Sequence, residues 1–112
     1  VNRHDIHPDT SAGWLLQQMC QYDGMLRQYK RGSGFFSAGT VAQYFGYIES
    51  GSLKQVAYGE DGSEHVINLA FKGQLVADFP FALMGLKSKT SMIAVTPCVI
   101  SCLPTKDLGS ML

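Results

Sequence analysis

The chain has 112 residues, the size of one small domain, and its 9 basic and 9 acidic residues leave a formal net charge of zero. At 46% apolar and only 16% charged it is too hydrophobic for a disordered tail, and it lacks the basic excess of a free-standing nucleic-acid binder. No apolar run approaches the roughly 18 to 20 residues that cross a bilayer, and Val1-Asn2-Arg3-His4-Asp5 lacks the basic-then-apolar profile of a signal peptide.

The chain opens without Met, as a trimmed, processed or partial sequence does. Residues 1–10 are polar and read as a flexible N-terminal segment, in which His4, Asp5 and His7 are solvated rather than metal-binding. Asp9, Thr10 and Ser11 are N-cap candidates. Leu15, Met19, Tyr22 and Leu26 then recur at i, i+4, i+7 and i+11, which predicts a helix over about residues 11–28 with Trp14 packing on it. Gly24 weakens its last turn. Arg27, Lys30 and Arg31 read as a solvated basic cluster.

Beyond Lys30 the period changes. Gly39, Gly51, Gly62, Gly73 and Gly85 punctuate the chain at gaps of 12, 11, 11 and 12 residues. Short runs rich in Val, Ile, Tyr and Phe lie between them, which predicts an antiparallel all-β sandwich or barrel. Strands are expected over 42–49, 53–58 and 64–71, with Asp61-Gly62 as a hairpin turn between the last two. Residues 90–95 and 99–103 read as a final strand pair turning at Thr96-Pro97. Residues 78–85 read as a loop with one short helical turn, Pro80 being tolerated at its start. Phe79, Phe81, Leu83 and Met84 read as packing, with closure of a ligand pocket as the alternative.

Three cysteines, Cys20, Cys98 and Cys102, are too few and odd in number for a disulfide framework, which points to a reducing, cytoplasmic setting. Cys98, Ile100 and Cys102 share one strand face and read as buried thiols. His65 is the only histidine among the predicted strands, too few for a barrel metal site of the cupin kind. No nucleophile and base, phosphate loop or zinc helix stands at a catalytic spacing, so an enzyme is not expected.

The order of these elements resembles a known family. Tyr29-Lys30-Arg31-Gly32-Ser33-Gly34-Phe35-Phe36-Ser37-Ala38-Gly39-Thr40 looks like the first strand and glycine turn of cyclic-nucleotide-binding domains. Tyr44-Phe45-Gly46-Tyr47-Ile48-Glu49-Ser50-Gly51-Ser52-Leu53-Lys54 is similar to the next hairpin, and Asp61-Gly62 with 64–69 to the one after. The resemblance covers about residues 12–104, and it is greatest to the sensor half of Crp/Fnr-type bacterial transcription regulators.

The resemblance implies a mainly β fold. It is an antiparallel β-roll, or double-stranded β-helix of jelly-roll kind, with an N-terminal helix and a short helix in a phosphate-binding cassette. The implied domain spans 11–104, and 105–112 begin a C-terminal dimerisation helix. In cyclic-AMP binders the cassette reads roughly G-D-x-x-G-E-L, and an R-S-A or R-T-A opens the next strand. Gly73-Gln74-Leu75-Val76-Ala77-Asp78-Phe79 aligns with the first part. Asp78 then stands where the family Glu accepts from a ribose hydroxyl, and Ala77 replaces the glycine before it. Ser88 stands where the phosphate-binding Arg is expected, between Lys87 and Lys89, and Thr90-Ser91-Met92-Ile93-Ala94 continues the match.

Ser has one hydroxyl and no charge, whereas Arg presents a charged donor fork. Losing one partner of a buried charge pair costs about 2–5 kcal/mol, roughly two to three orders of magnitude in affinity. If Ser88 faces inward, strand alternation turns Lys87 and Lys89 outward. The expected ligand-binding residues are Ala77, Asp78, Phe79, Ser88, Lys89 and Thr90, for a cyclic nucleotide or another small anionic effector. Asp78 also fits a plain N-cap, and Ser88 to Thr90 also fit an ordinary edge strand. No cofactor or metal is otherwise called for. The implied role is an effector sensor, homodimeric in the full-length protein, that controls a helix-turn-helix outside this chain. The alternative is a degenerate roll that binds no nucleotide and serves dimerisation or protein interaction.

Overall fold

A computed structural model describes residues 24–78, 81–82 and 84–106. The N-terminal segment 1–10, most of the helix expected over 11–28, and residues 107–112 lie outside the described residues. Eight strands follow in chain order: β1 (Met25–Tyr29), β2 (Gly34–Phe36), β3 (Tyr44–Ser50), β4 (Ser52–Tyr58), β5 (Glu64–Phe71), β6 (Leu75–Val76), β7 (Ser91–Ala94) and β8 (Cys98–Pro104). They form two four-stranded sheets, ordered β1-β8-β3-β6 and β2-β7-β4-β5. Every pairing is antiparallel. The architecture is mainly β, as the glycine spacing predicts, and it is built of two sheets.

The C-terminal end of the expected 11–28 helix is corrected. Met25 to Tyr29 form a strand paired with β8, from Met25 opposite Cys102 to Tyr29 opposite Cys98. Leu26 fits the helical stripe by spacing, yet it is 63% exposed. A sheet partner has outweighed the local pattern.

The expected final hairpin is also corrected. β7 pairs with β2 and β4, whereas β8 pairs with β1 and β3, so the Thr96-Pro97 turn carries the chain from one sheet to the other. The Gly51 corner makes the same crossing between β3 and β4. Gly51 has φ +93°, and a Cβ there would press on the Pro97 carbonyl and on Cys98. Only glycine fits that corner. The Asp61-Gly62 hairpin stands as expected, joining β4 to β5 within one sheet with Gly62 at φ +84°.

The expected cassette helix lies partly outside the described residues, and the described ones show a single helical turn. Ala82 N–H donates to the Asp78 carbonyl at 2.8 Å, one helical turn. Leu86 N–H then returns to the Phe81 carbonyl at 2.9 Å and Gly85 N–H to that of Ala82 at 3.2 Å, with Gly85 at φ +70°. That is the Schellman pattern of a helix end. Phe79, Pro80 and Leu83 lie outside the described residues, and no helix element stands among the described ones. Thr105 and Lys106 take helical backbone at the end of β8.

The core lies between the sheets. Phe45, Ile48, Leu53 and Ile100 are wholly buried, packed with Phe35, Phe36, Val76 and Met92. Burying each large side chain contributes about 1.5–3 kcal/mol. Cys98 and Cys102 are free, buried thiols, as the alternation predicts; Cys20 lies outside the described residues.

Candidate functional site

The site is assembled where β5 turns into β6. Gln74 N–H closes the turn on the Phe71 carbonyl at 3.0 Å, and the Gln74 side-chain oxygen takes the Phe71 N–H at 2.7 Å. Gly73 N–H donates to the Ile48 carbonyl at 2.8 Å, and Ile48 N–H returns to the Gln74 carbonyl at 3.0 Å. These bonds fix the turn to β3, so β6 pairs with Gly46 and Tyr47 and delivers Ala77 and Asp78 to one end of the sheet.

Ser88 arrives from the other side. Its N–H donates to the Thr40 carbonyl and its carbonyl accepts from Gly39 N–H, both at 2.8 Å. This holds it 3% exposed. Its hydroxyl donates to the Asp78 carboxylate. The two positions that in cyclic-AMP binders are expected to hold Glu and Arg thus meet as Asp and Ser, and bond to each other.

The remaining predicted residues divide. Thr90 is half-buried and its hydroxyl accepts from the Gln55 amide at 2.9 Å. Lys87 and Lys89 are exposed, as an inward Ser88 requires, and the Lys89 ammonium stands 5.7 Å from the centre of the Phe81 ring. Phe79 lies outside the described residues.

An open cavity of about 470 Å³ lies between β4, β5, β6 and β7. Among the described residues, Ala77 is the one predicted site residue in its lining. Sequence reasoning missed Gln55, Asn68, Gln74 and Met92, which share that lining. A signal for Gln55 was present: it is a polar residue two places from Leu53, on an otherwise apolar inward face. His65 is exposed on β5 with its ring 3.1 Å from the Ser63 hydroxyl, away from any described cluster.

A separate cluster lies on β1 and β3. The Arg27 guanidinium is 4.8 Å from the Tyr44 ring centre and donates to the Tyr29 and Tyr44 hydroxyls at 3.2 Å each. The Tyr29 hydroxyl contacts the Cys102 thiol at 3.8 Å. Burial pushes the Tyr29 phenol up to about 12, reinforced by Cys102 and opposed by the Arg27 bond. Burial likewise raises the Cys102 thiol, against its contacts with Tyr29 and Arg27. A cavity of about 310 Å³ adjoins this cluster and contains no predicted site residue.

No helix among the described residues is long and apolar enough to cross a membrane. No curated protein matches the chain in sequence. Among solved structures, a candidate cAMP-binding regulatory protein from Silicibacter pomeroyi DSS-3 is similar at TM-score 0.72 and 27% identity, over 93% of this chain and 45% of that one. The catabolite activator protein of Thermus thermophilus matches at TM-score 0.69 and 21% identity, over 94% and 46%. The regulatory subunit of a cAMP-independent protein kinase A from Trypanosoma brucei matches at 0.65 and 22%, over 73% and 30%. The chain therefore spans less than half the length of each. The model of the cyclic nucleotide-binding domain family matches residues 26–112, and the chain belongs to that family.

Proposed function

We propose that this domain is the effector sensor of a Crp/Fnr-type transcription regulator, and that its effector is not held as a cyclic phosphate. In this reading a small molecule in the roll sets the position of a helix beyond β8. The full-length protein is a homodimer, and DNA is read by a helix-turn-helix outside this chain. The role is regulatory and not catalytic. The observation that carries the reading is the Ser88–Asp78 hydrogen bond. It joins two family positions for ligand contact, and it leaves the phosphate position without a cation while Lys87 and Lys89 are exposed. A neutral hydroxyl cannot replace a charged fork for a desolvated phosphate.

The test restores the fork. The Trypanosoma brucei subunit offers the design: a triply substituted form of it, one change placing Arg for Thr, is bound to cAMP. The native chain should show no change in Tm with millimolar cAMP. A folded Ser88→Arg variant should gain several degrees, since a ligand at 100 times its Kd stabilises by about 2.7 kcal/mol. A native chain that already responds to cAMP would refute the reading. A folded Ser88→Arg variant that stays silent would show that residues 78 and 88 are not the family's contact pair.

A second reading draws on β5. Val66, Ile67, Leu69 and Phe71 are each more than half exposed on this terminal strand of its sheet. Such an edge favours a β-roll that binds no nucleotide and pairs with a second copy of the chain. It predicts that no small molecule alters Tm.

A further inference from the structure

We infer that the roll cavity takes an uncharged small molecule that offers both hydrogen-bond donors and acceptors. The inference rests on the sensor reading, since it concerns the ligand of the same site. Three residues with amide side chains, from three elements, line the cavity: Gln55 of β4, Asn68 of β5 and Gln74 of the turn before β6. Each is half engaged by the protein. The Gln55 amide nitrogen donates to Thr90, the Asn68 oxygen accepts from Leu69 N–H at 2.9 Å, and the Gln74 oxygen accepts from Phe71 N–H. What remains without a partner among the described residues is one acceptor, Gln55 Oε1, and two donors, Asn68 Nδ2 and Gln74 Nε2. Asn68 and Gln74 are exposed and Gln55 is half-buried, and the bond that each makes restricts its rotation.

The rest of the wall includes Leu75, Val76 and Met92, and no charged side chain stands among its described residues. Next to Ala77 in the chain stands the Asp78 carboxylate, whose hydroxyl partner Ser88 is neutral, and next to Gly73 stands the exposed Lys72, neither of them in the lining. An anion held by these amides would exchange water for neutral groups alone. That is a desolvation cost without a counter-charge. A neutral ligand gives up less and can match the acceptor and the two donors. The cavity, at about 470 Å³, is of the size that holds small molecules.

The experiment pairs neutral and anionic probes. Thermal unfolding of the purified chain is followed with adenosine and guanosine, each beside its 3′,5′-cyclic monophosphate at equal millimolar concentration. Small molecules that co-purify with the native chain are identified by mass spectrometry after denaturation. The nucleosides should raise Tm and their cyclic phosphates should not. Gln55→Leu should weaken nucleoside binding roughly tenfold, the loss of about one neutral hydrogen bond. Cyclic phosphates that stabilise as well as the nucleosides would overturn the inference together with the exclusion of a cyclic phosphate, whereas a co-purified ligand that carries a non-cyclic phosphate would overturn the inference alone. A chain that responds to no probe would overturn it for nucleosides. If nothing co-purifies either, the sensor reading falls with it.

Discussion

Tyr29 shows how one side chain links the sheet to solvent pH. Its ring packs edge-on against Phe35 at 5.5 Å, and its hydroxyl sits between Arg27 and the buried Cys102. Burial, the largest cause, disfavours the phenolate and pushes the phenol from 10.0 to about 12. In the unfolded chain the proton leaves near pH 10; in the fold it leaves about two units later. Between these values the folded state binds more protons, so Tyr29 lowers stability as pH rises through 10 to 12. Below pH 10 its contribution is fully present. Urea midpoints at pH 9, 10 and 11 should therefore fall more steeply for the native chain than for Tyr29→Phe, which has no phenol to titrate. Parallel slopes would mean that the phenol is not desolvated.

The strands place the site by what they exclude as much as by what they carry. Gly46 lies in β3 opposite Cys102 of β8 and Val76 of β6. A Cβ there would stand 2.5 Å from Ile100 Cγ2 and 2.8 Å from Phe35 Cζ. Both neighbours are buried core side chains that must shift to admit it. Gly46→Ala should cost about 1–3 kcal/mol by overpacking, read as a lower urea midpoint with unchanged m. Phe35→Leu should cost stability alone yet recover part of the loss in the double variant, since the two sites share one space. Additive losses would place the clash elsewhere.

The strands themselves were legible in the sequence because the signals are local. His65, Ile67, Leu69 and Phe71 fall on one face of 64–71, and Asp61-Gly62 closes the hairpin with 53–58. The sheet to which each strand belongs was not, because β7 meets β2 and β4 across long stretches of chain and nothing in residues 90–103 encodes that choice. β1 was hidden because Leu26 completes a helical stripe by spacing. At the site, alignment located Asp78 and Ser88. Their mutual bond depends on where two side chains ten positions apart in the chain point. The amide trio was beyond reach for the same reason, since its members come from three separate elements.

The molecule as a whole is unevenly held. β8 is flanked by β1 and β3, and Cys98, Ile100, Ser101, Cys102 and Leu103 are all buried in it. β5 pairs on one side only, with β4, and nearly all its residues are exposed. Opening free energies follow such differences, from near zero at loose edges to the global value in central strands. Native-state hydrogen exchange should therefore leave the β8 amides slowest, opening only with global unfolding. Those of β5 should exchange by local opening, well below the global free energy. The measurement also separates the two functional readings. In a sensor, β5 forms part of the cavity wall through Asn68, so its protection should rise with ligand and be indifferent to protein concentration. In a pairing module, its open edge is covered by a second copy, so protection should rise with protein concentration and ignore small molecules. β5 exchange as slow as that of β8 in the dilute, unliganded chain would contradict both, because it would require an edge strand to be as tightly held as a central one.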